Sequence, residues 1–147
     1  MKPIIVTSFI LCAVVAGEAI ALCEPNTRVT GNALQTLLTG SLVCGRPAAG
    51  YTGSASDRWQ EEHIAGGQLF DYKKGPGDPV DPRKLVGTWS IAANQVTYTY
   101  SASGPFVRTV HQIAGNTYSF CTGNNGAEVV RAFIGPNGGS GCGGSFP

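Results

Sequence analysis

The residues best suited to chemistry in this 147-residue chain cluster around Gly66-Gly67. If the two glycines form a two-residue turn, Ala65 pairs with Gln68, His63 with Phe70 and Glu61 with Tyr72. Alternation along the two arms then gathers Trp59, Glu61, His63, Phe70 and Tyr72 on one face. Aromatic surface beside a carboxylate and an imidazole is a ligand-recognition face, and the carboxylate would raise the pKa of a neighbouring histidine. The plainer expectation for the same residues is that His63 stacks on Phe70, Tyr72 bonds locally and the acids are solvated. Register decides between them, since a slip of one residue reverses the face.

Other chemistries find less support. His63 and His111 are the two histidines, and neither sits in an H-x-x-x-H or H-E-x-x-H arrangement. Asp71, Asp78 and Asp81 surround a proline loop but lack the spacing of a calcium-binding EF-hand loop. There is no G-x-S-x-G elbow for a nucleophilic serine. Glu61, Glu62 and Asp71 share one hairpin, whereas paired glycosidase acids face each other across a cleft. The chain therefore reads as non-enzymatic, with no cofactor or metal implied, and with hydrolysis by Glu61 and His63 as the enzymatic alternative.

The elements that must hold these residues are mostly strands. Leu34, Leu37 and Leu38 at i, i+3 and i+4 predict one short helix over 28–39, with Thr30 as cap and Gly40 as stop. Strands are expected at 41–44, 57–64, 68–73, 88–92, 95–101, 106–113, 117–121 and 127–134. Residues 95–100 alternate strictly, with Val96, Tyr98 and Tyr100 on one face and Gln95, Thr97 and Thr99 on the other. Trp89, Tyr98, Tyr100, Phe106, Tyr118, Phe120 and Phe133 are expected to build the core and its rim. Three prolines in 75–82 give a stiff loop. The fold class is mainly β: an antiparallel sheet curled into a partly open barrel or sandwich, with one short N-terminal helix.

The first 21 residues resemble a leader. Met1-Lys2 is a minimal positive region, an apolar run follows, and Ala19-Ile20-Ala21 forms an A-x-A site, so cleavage is expected after Ala21. That divides the chain into a signal peptide (1–21), a single β domain (22–134) and a glycine-rich tail (135–147), placed outside the cytosol as a secreted or periplasmic protein. No later segment has the ~20 apolar residues of a membrane helix. The formal net charge is +1 and no basic run exceeds Lys73-Lys74, which argues against nucleic acid as a partner.

Cys12 leaves with the leader, and Cys23, Cys44, Cys121 and Cys142 remain. Four cysteines in an exported chain predict two disulfides with three possible connectivities. The local pairing, Cys23–Cys44 with Cys121–Cys142, is favoured because it ties down both irregular ends; Cys44–Cys121 with Cys23–Cys142 would join opposite ends instead. A zinc site is disfavoured by the absence of any C-x-x-C pair.

Gly87-Thr88-Trp89-Ser90-Ile91 resembles the Gly-x-Trp signature of lipocalins and fatty-acid-binding proteins, the calycin barrels, where the tryptophan closes one end of a barrel around an apolar ligand. Those families carry it on their first strand, and too little chain follows it here for eight more. With Leu38-Thr39-Gly40-Ser41-Leu42-Val43 early and Gly-Thr-Trp late, the chain also resembles small exported bacterial proteins of unknown function. These resemblances imply an architecture. The expected function is a non-enzymatic binding protein for a small ligand or envelope partner, with a surface-acting inhibitor or envelope assembly component as the alternative.

Overall fold

Alternating apolar and polar side chains become eight antiparallel strands, and the sheet they form closes on itself. In the computed structural model, residues 22–50, 52, 57–71, 83–123, 126–137, 141–142 and 147 are described. The strands are β1 (Ser41–Pro47), β2 (Trp59–Ile64), β3 (Gln68–Asp71), β4 (Lys84–Ala92), β5 (Gln95–Tyr100), β6 (Ser103–Ala114), β7 (Thr117–Cys121) and β8 (Glu128–Pro136). Each pairs with its neighbour in sequence, and β1 pairs with β8 from Ser41↔Pro136 to Pro47↔Val130, so the barrel is closed rather than partly open. Closure leaves no edge strand with unpaired backbone groups. An eight-stranded barrel is just wide enough to be filled by side chains or to hold one small ligand.

The helix α1 (Gly31–Leu38) blocks one end. Leu34 and Leu38, one turn apart, are fully buried against barrel residues including Leu69, Trp89 and Val96. The helix starts later than the expected 28 because residues 28 and 29 are held by β6: Arg28 bridges His111, and the Val29 amide donates to the Val110 carbonyl at 2.8 Å. Thr30 occupies the cap position without a side-chain capping bond. No helix among the described residues is long and apolar enough to cross a membrane.

Trp89 lies at this same end. Its indole nitrogen donates to the Ile64 carbonyl at 3.2 Å, and its backbone amide donates to the Gly67 carbonyl at 2.8 Å. The eight-strand antiparallel barrel is compatible with the calycin-like architecture suggested by Gly-Thr-Trp, although the motif stands on β4.

The disulfides take the connectivity that the local pairing did not anticipate. Cys23 bonds Cys121 and Cys44 bonds Cys142, each across 98 residues of sequence. The reason is tertiary. The segment before α1 runs beside β6, where the His111 Nδ1 donates to the Glu24 carbonyl at 2.9 Å, and this brings Cys23 to the end of β7. Cys142 lies on the outer face of β1 and β2, so Leu42, Cys44, Phe133 and Cys142 form a second apolar cluster outside the barrel. Phe133 therefore packs under the tail and not in the barrel core. The Asn137 amide donates to Glu62 at 2.6 Å, and the Cys142 backbone amide donates to the Gln60 side chain at 2.8 Å.

Candidate functional site

The hairpin joining β2 and β3 fixes what faces inward. Its register is Ile64↔Gln68, His63↔Leu69, Glu62↔Phe70 and Glu61↔Asp71, one residue away from the two-residue-turn expectation. The turn is three residues long, Ala65 to Gly67, with Gly66 at φ +97° and Gly67 at φ +90°. Only glycine enters that region freely. Position 67 also has no room for a side chain, since a Cβ there would lie 2.7 Å from the Trp89 carbonyl oxygen.

That single-residue slip divides the predicted face. Glu61 and His63 point into the barrel. Trp59, two residues earlier on the same strand, lies over its cross-strand partner Gly45, where a Cβ would approach the indole to 2.7 Å. Phe70 falls on the outer face with Glu62, and the Arg83 guanidinium sits 3.6 Å from the centre of its ring while also pairing with Glu62. His63 accordingly packs on Trp89, with ring centres 5.3 Å apart, rather than on Phe70. Tyr72 lies outside the described residues, as do the leader and the proline loop with Asp78 and Asp81.

The end of the barrel opposite α1 holds a cavity of about 200 Å³ lined by Val43, Trp59, Glu61, Tyr98, Tyr100, Phe106, Arg108, Phe120 and Val130. Its aromatic wall is continuous. Tyr98 and Tyr100 stack at 6.5 Å, Tyr98 meets Phe120 at 6.2 Å and Tyr100 meets Phe106 at 6.1 Å. The strict alternation of β5 puts both tyrosines inward, while Phe106 and Arg108 come from β6 and Phe120 from β7.

Glu61 is the polar centre of this wall. Only 8% of its surface is exposed, and Oε1 accepts a hydrogen bond from the Tyr100 hydroxyl at 2.8 Å. Burial, against the opposing effect of that bond and reinforced by the nearby Asp71 carboxylate, pushes its pKa up to about 7. The same burial, with the Glu61 charge, raises the Tyr98 and Tyr100 hydroxyls well above the usual phenol range. Arg108 acts in the opposite direction on both tyrosines; its guanidinium lies 5.5 Å from the Phe106 ring centre and donates to the Val107 carbonyl at 2.8 Å.

His63 lies beneath the cavity and does not line it. It is fully buried, its Nε2 is 3.0 Å from the Tyr98 hydroxyl, and Nδ1 has no hydrogen-bond partner among the described residues. Burial, only partly offset by the Glu61 backbone, brings its pKa down to about 4, so the ring is neutral at physiological pH. His111 is a clamp on the N-terminal segment: Nδ1 faces the Glu24 carbonyl and Nε2 lies 2.9 Å from the Thr109 hydroxyl. Among the described residues no group of three or more His, Cys, Asp or Glu side chains is placed to hold a metal ion.

Sequence reasoning thus named two of the cavity residues, Trp59 and Glu61, and assigned Tyr98, Tyr100, Phe106 and Phe120 to the core and rim. The alternation of β5 was a usable signal for the two tyrosines. Arg108 carries no such signal, because nothing local distinguishes an arginine at a barrel mouth from one in solvent. No family model, no curated protein and no solved structure matches the chain.

Proposed function

We propose that this protein is an exported, non-enzymatic binding protein that takes one small, largely aromatic or apolar molecule into the open end of its barrel. The carrying observation is the cavity of about 200 Å³, walled by five aromatic rings and one buried carboxyl. It is smaller than the usual ligand pocket of about 300–1,000 Å³ but larger than the roughly 150 Å³ that accommodates benzene. A ligand of one ring with a short polar arm matches that space. The helix and Trp89 block the far end, so a ligand enters from the end of the barrel that holds the cavity. Two disulfides and the leader-like first 21 residues support a setting outside the cytosol.

Hydrolysis by Glu61 and His63 has little geometry behind it. The imidazole bonds to Tyr98, the carboxyl bonds to Tyr100, and His63 has no exposure to a substrate in the cavity. General acid–base work requires hydrogen-bond reach to the substrate.

Native mass spectrometry of the full chain expressed with its leader and recovered from its export compartment tests the reading. The expected spectrum shows cleavage after Ala21, two disulfides and a small-molecule adduct lost on denaturation. A protein carrying no adduct, whose tryptophan fluorescence is also unmoved by a panel of single-ring aromatic compounds at millimolar concentration, would overturn it.

A further inference from the structure

The cavity wall contains a charge that its own neighbours leave half-satisfied. Glu61 Oε1 takes the Tyr100 hydroxyl, while Oε2 has no hydrogen-bond partner and the carboxyl makes no ion pair among the described residues. A carboxyl more than nine-tenths buried ordinarily has both a cation and a full set of donors, because uncompensated burial of a charge is expensive. Here the open oxygen belongs to a side chain that lines the cavity.

The groups facing Glu61 sharpen what would complete it. On β2, His63 is neutral and engaged with Tyr98. From β3, Asp71 stands directly across as the cross-strand partner and adds a second negative charge. From β5, Tyr100 donates its proton and Tyr98 stays protonated. From β6, Arg108 is turned to Phe106 and to its neighbour's carbonyl instead of to Glu61. Among the described residues, the charge acting on Glu61 is therefore the negative one of Asp71, and the surrounding wall is aromatic. Aromatic rings attract cations through their quadrupoles, and an ammonium forms a charge-assisted hydrogen bond with a carboxylate.

Resting on the ligand-binding reading above, we propose that the cavity selects a small aromatic monoamine, its ammonium on Glu61 Oε2 and its ring against Tyr98, Phe106 and Phe120. The amine supplies a cation for Glu61 and offsets the effect of the neighbouring Asp71 charge on it. Arg108 on the same wall disfavours a second positive charge, so a diamine of equal length fits less well. A carboxylate in place of the amine would be repelled at Glu61, and Arg108, turned to Phe106 and the Val107 carbonyl, is the one described cation on the wall that would draw it elsewhere. Binding of the amine favours ionised Glu61, so it strengthens as pH rises through the neutral range and releases a proton at pH 6.

Three probes of one size distinguish the outcomes: 2-phenylethylamine, 2-phenylethanol and phenylacetate, titrated into the full disulfide-bonded protein at pH 8 by calorimetry. The amine is expected to bind at least about 10-fold more tightly than the alcohol and more tightly still than the acid. In Glu61→Gln the amine should fall to the alcohol's affinity while the alcohol is nearly unchanged, with circular dichroism confirming the fold. If the alcohol or the acid binds as well as the amine to the unaltered protein, the amine assignment is overturned and the ligand-binding reading survives. If none of the three binds, the cavity does not receive single-ring ligands and both fail. The comparison within the unaltered protein decides the matter even if Glu61→Gln does not fold.

Discussion

Replacing Glu61 by Gln should make the protein more stable above neutral pH and leave it nearly unchanged in acid. Gln preserves the shape of the side chain and an oxygen for the Tyr100 hydroxyl, which stands 2.8 Å away, but removes the charge. The folded pKa of Glu61 is raised from 4.5 to about 7. Between those values the folded state holds a proton that the unfolded chain has lost, so stability falls as pH rises, and the loss is complete above the folded pKa. At about 1.4 kcal/mol per pH unit, full burial of the charge would cost about 3 kcal/mol. Water reaching the carboxyl through the cavity reduces this, so a difference of about 1–3 kcal/mol at pH 8 is expected. Urea unfolding followed by the fluorescence of Trp59 and Trp89 reads it directly. With a slope of about 1–3 kcal/mol per molar urea, the midpoint of Glu61→Gln should exceed that of the unaltered protein by up to ~1–2 M at pH 8. The gap should shrink toward zero at pH 4.5. A gap that stays constant from pH 4.5 to 8 would mean that Glu61 titrates as an exposed acid, and the account of a half-satisfied buried carboxyl would be wrong.

His63 carries the opposite pH dependence. Its folded pKa lies near 4 against 6.5 unfolded, so the unfolded chain binds the extra proton between those values and stability drops as pH falls through that window. His63→Gln should lose this acid limb even if it is less stable overall. Because the limbs of His63 and Glu61 overlap and oppose, the unaltered protein should show little net dependence from the two between about pH 4.5 and 6.5. Acid–urea titrations in which His63→Gln retains the unaltered slope would contradict the buried neutral imidazole. Substituting Cys44 and Cys142 together by Ala releases the tail from β1 and removes a cross-link spanning 98 residues, which should cost about 2–5 kcal/mol. Peptide mapping without reduction should recover Cys23 with Cys121 and Cys44 with Cys142, and urea melts of the double variant give the energy.

Local patterns in the chain determined the elements and many of their faces. Each of the eight expected strands overlaps an observed one, because strand composition and turn residues, and in β5 a period of two in polarity, are properties of a segment by itself. Val96, Tyr98 and Tyr100 share the inner face for that reason. Leu34 and Leu38 bury together because a helix turns once in 3.6 residues. Tertiary structure decided what those elements enclose. The pairing of β1 with β8 joins segments about as far apart as the domain allows, and no local signal specifies it. It is closure that turns an aromatic face into the wall of a cavity, and that brings Phe106, Arg108 and Phe120 opposite Glu61. The disulfide partners followed from where the two ends lie on the finished barrel, which spacing along the chain does not encode. The hairpin register turned on a single residue: two glycines read equally well as a two-residue turn or as part of a three-residue one. Steric exclusion at Gly67 by the Trp89 carbonyl, a contact made by β4, belongs to the tertiary structure. With that choice Phe70 went outward and Glu61 stayed within, so the predicted face was divided between the interior of the barrel and its surface.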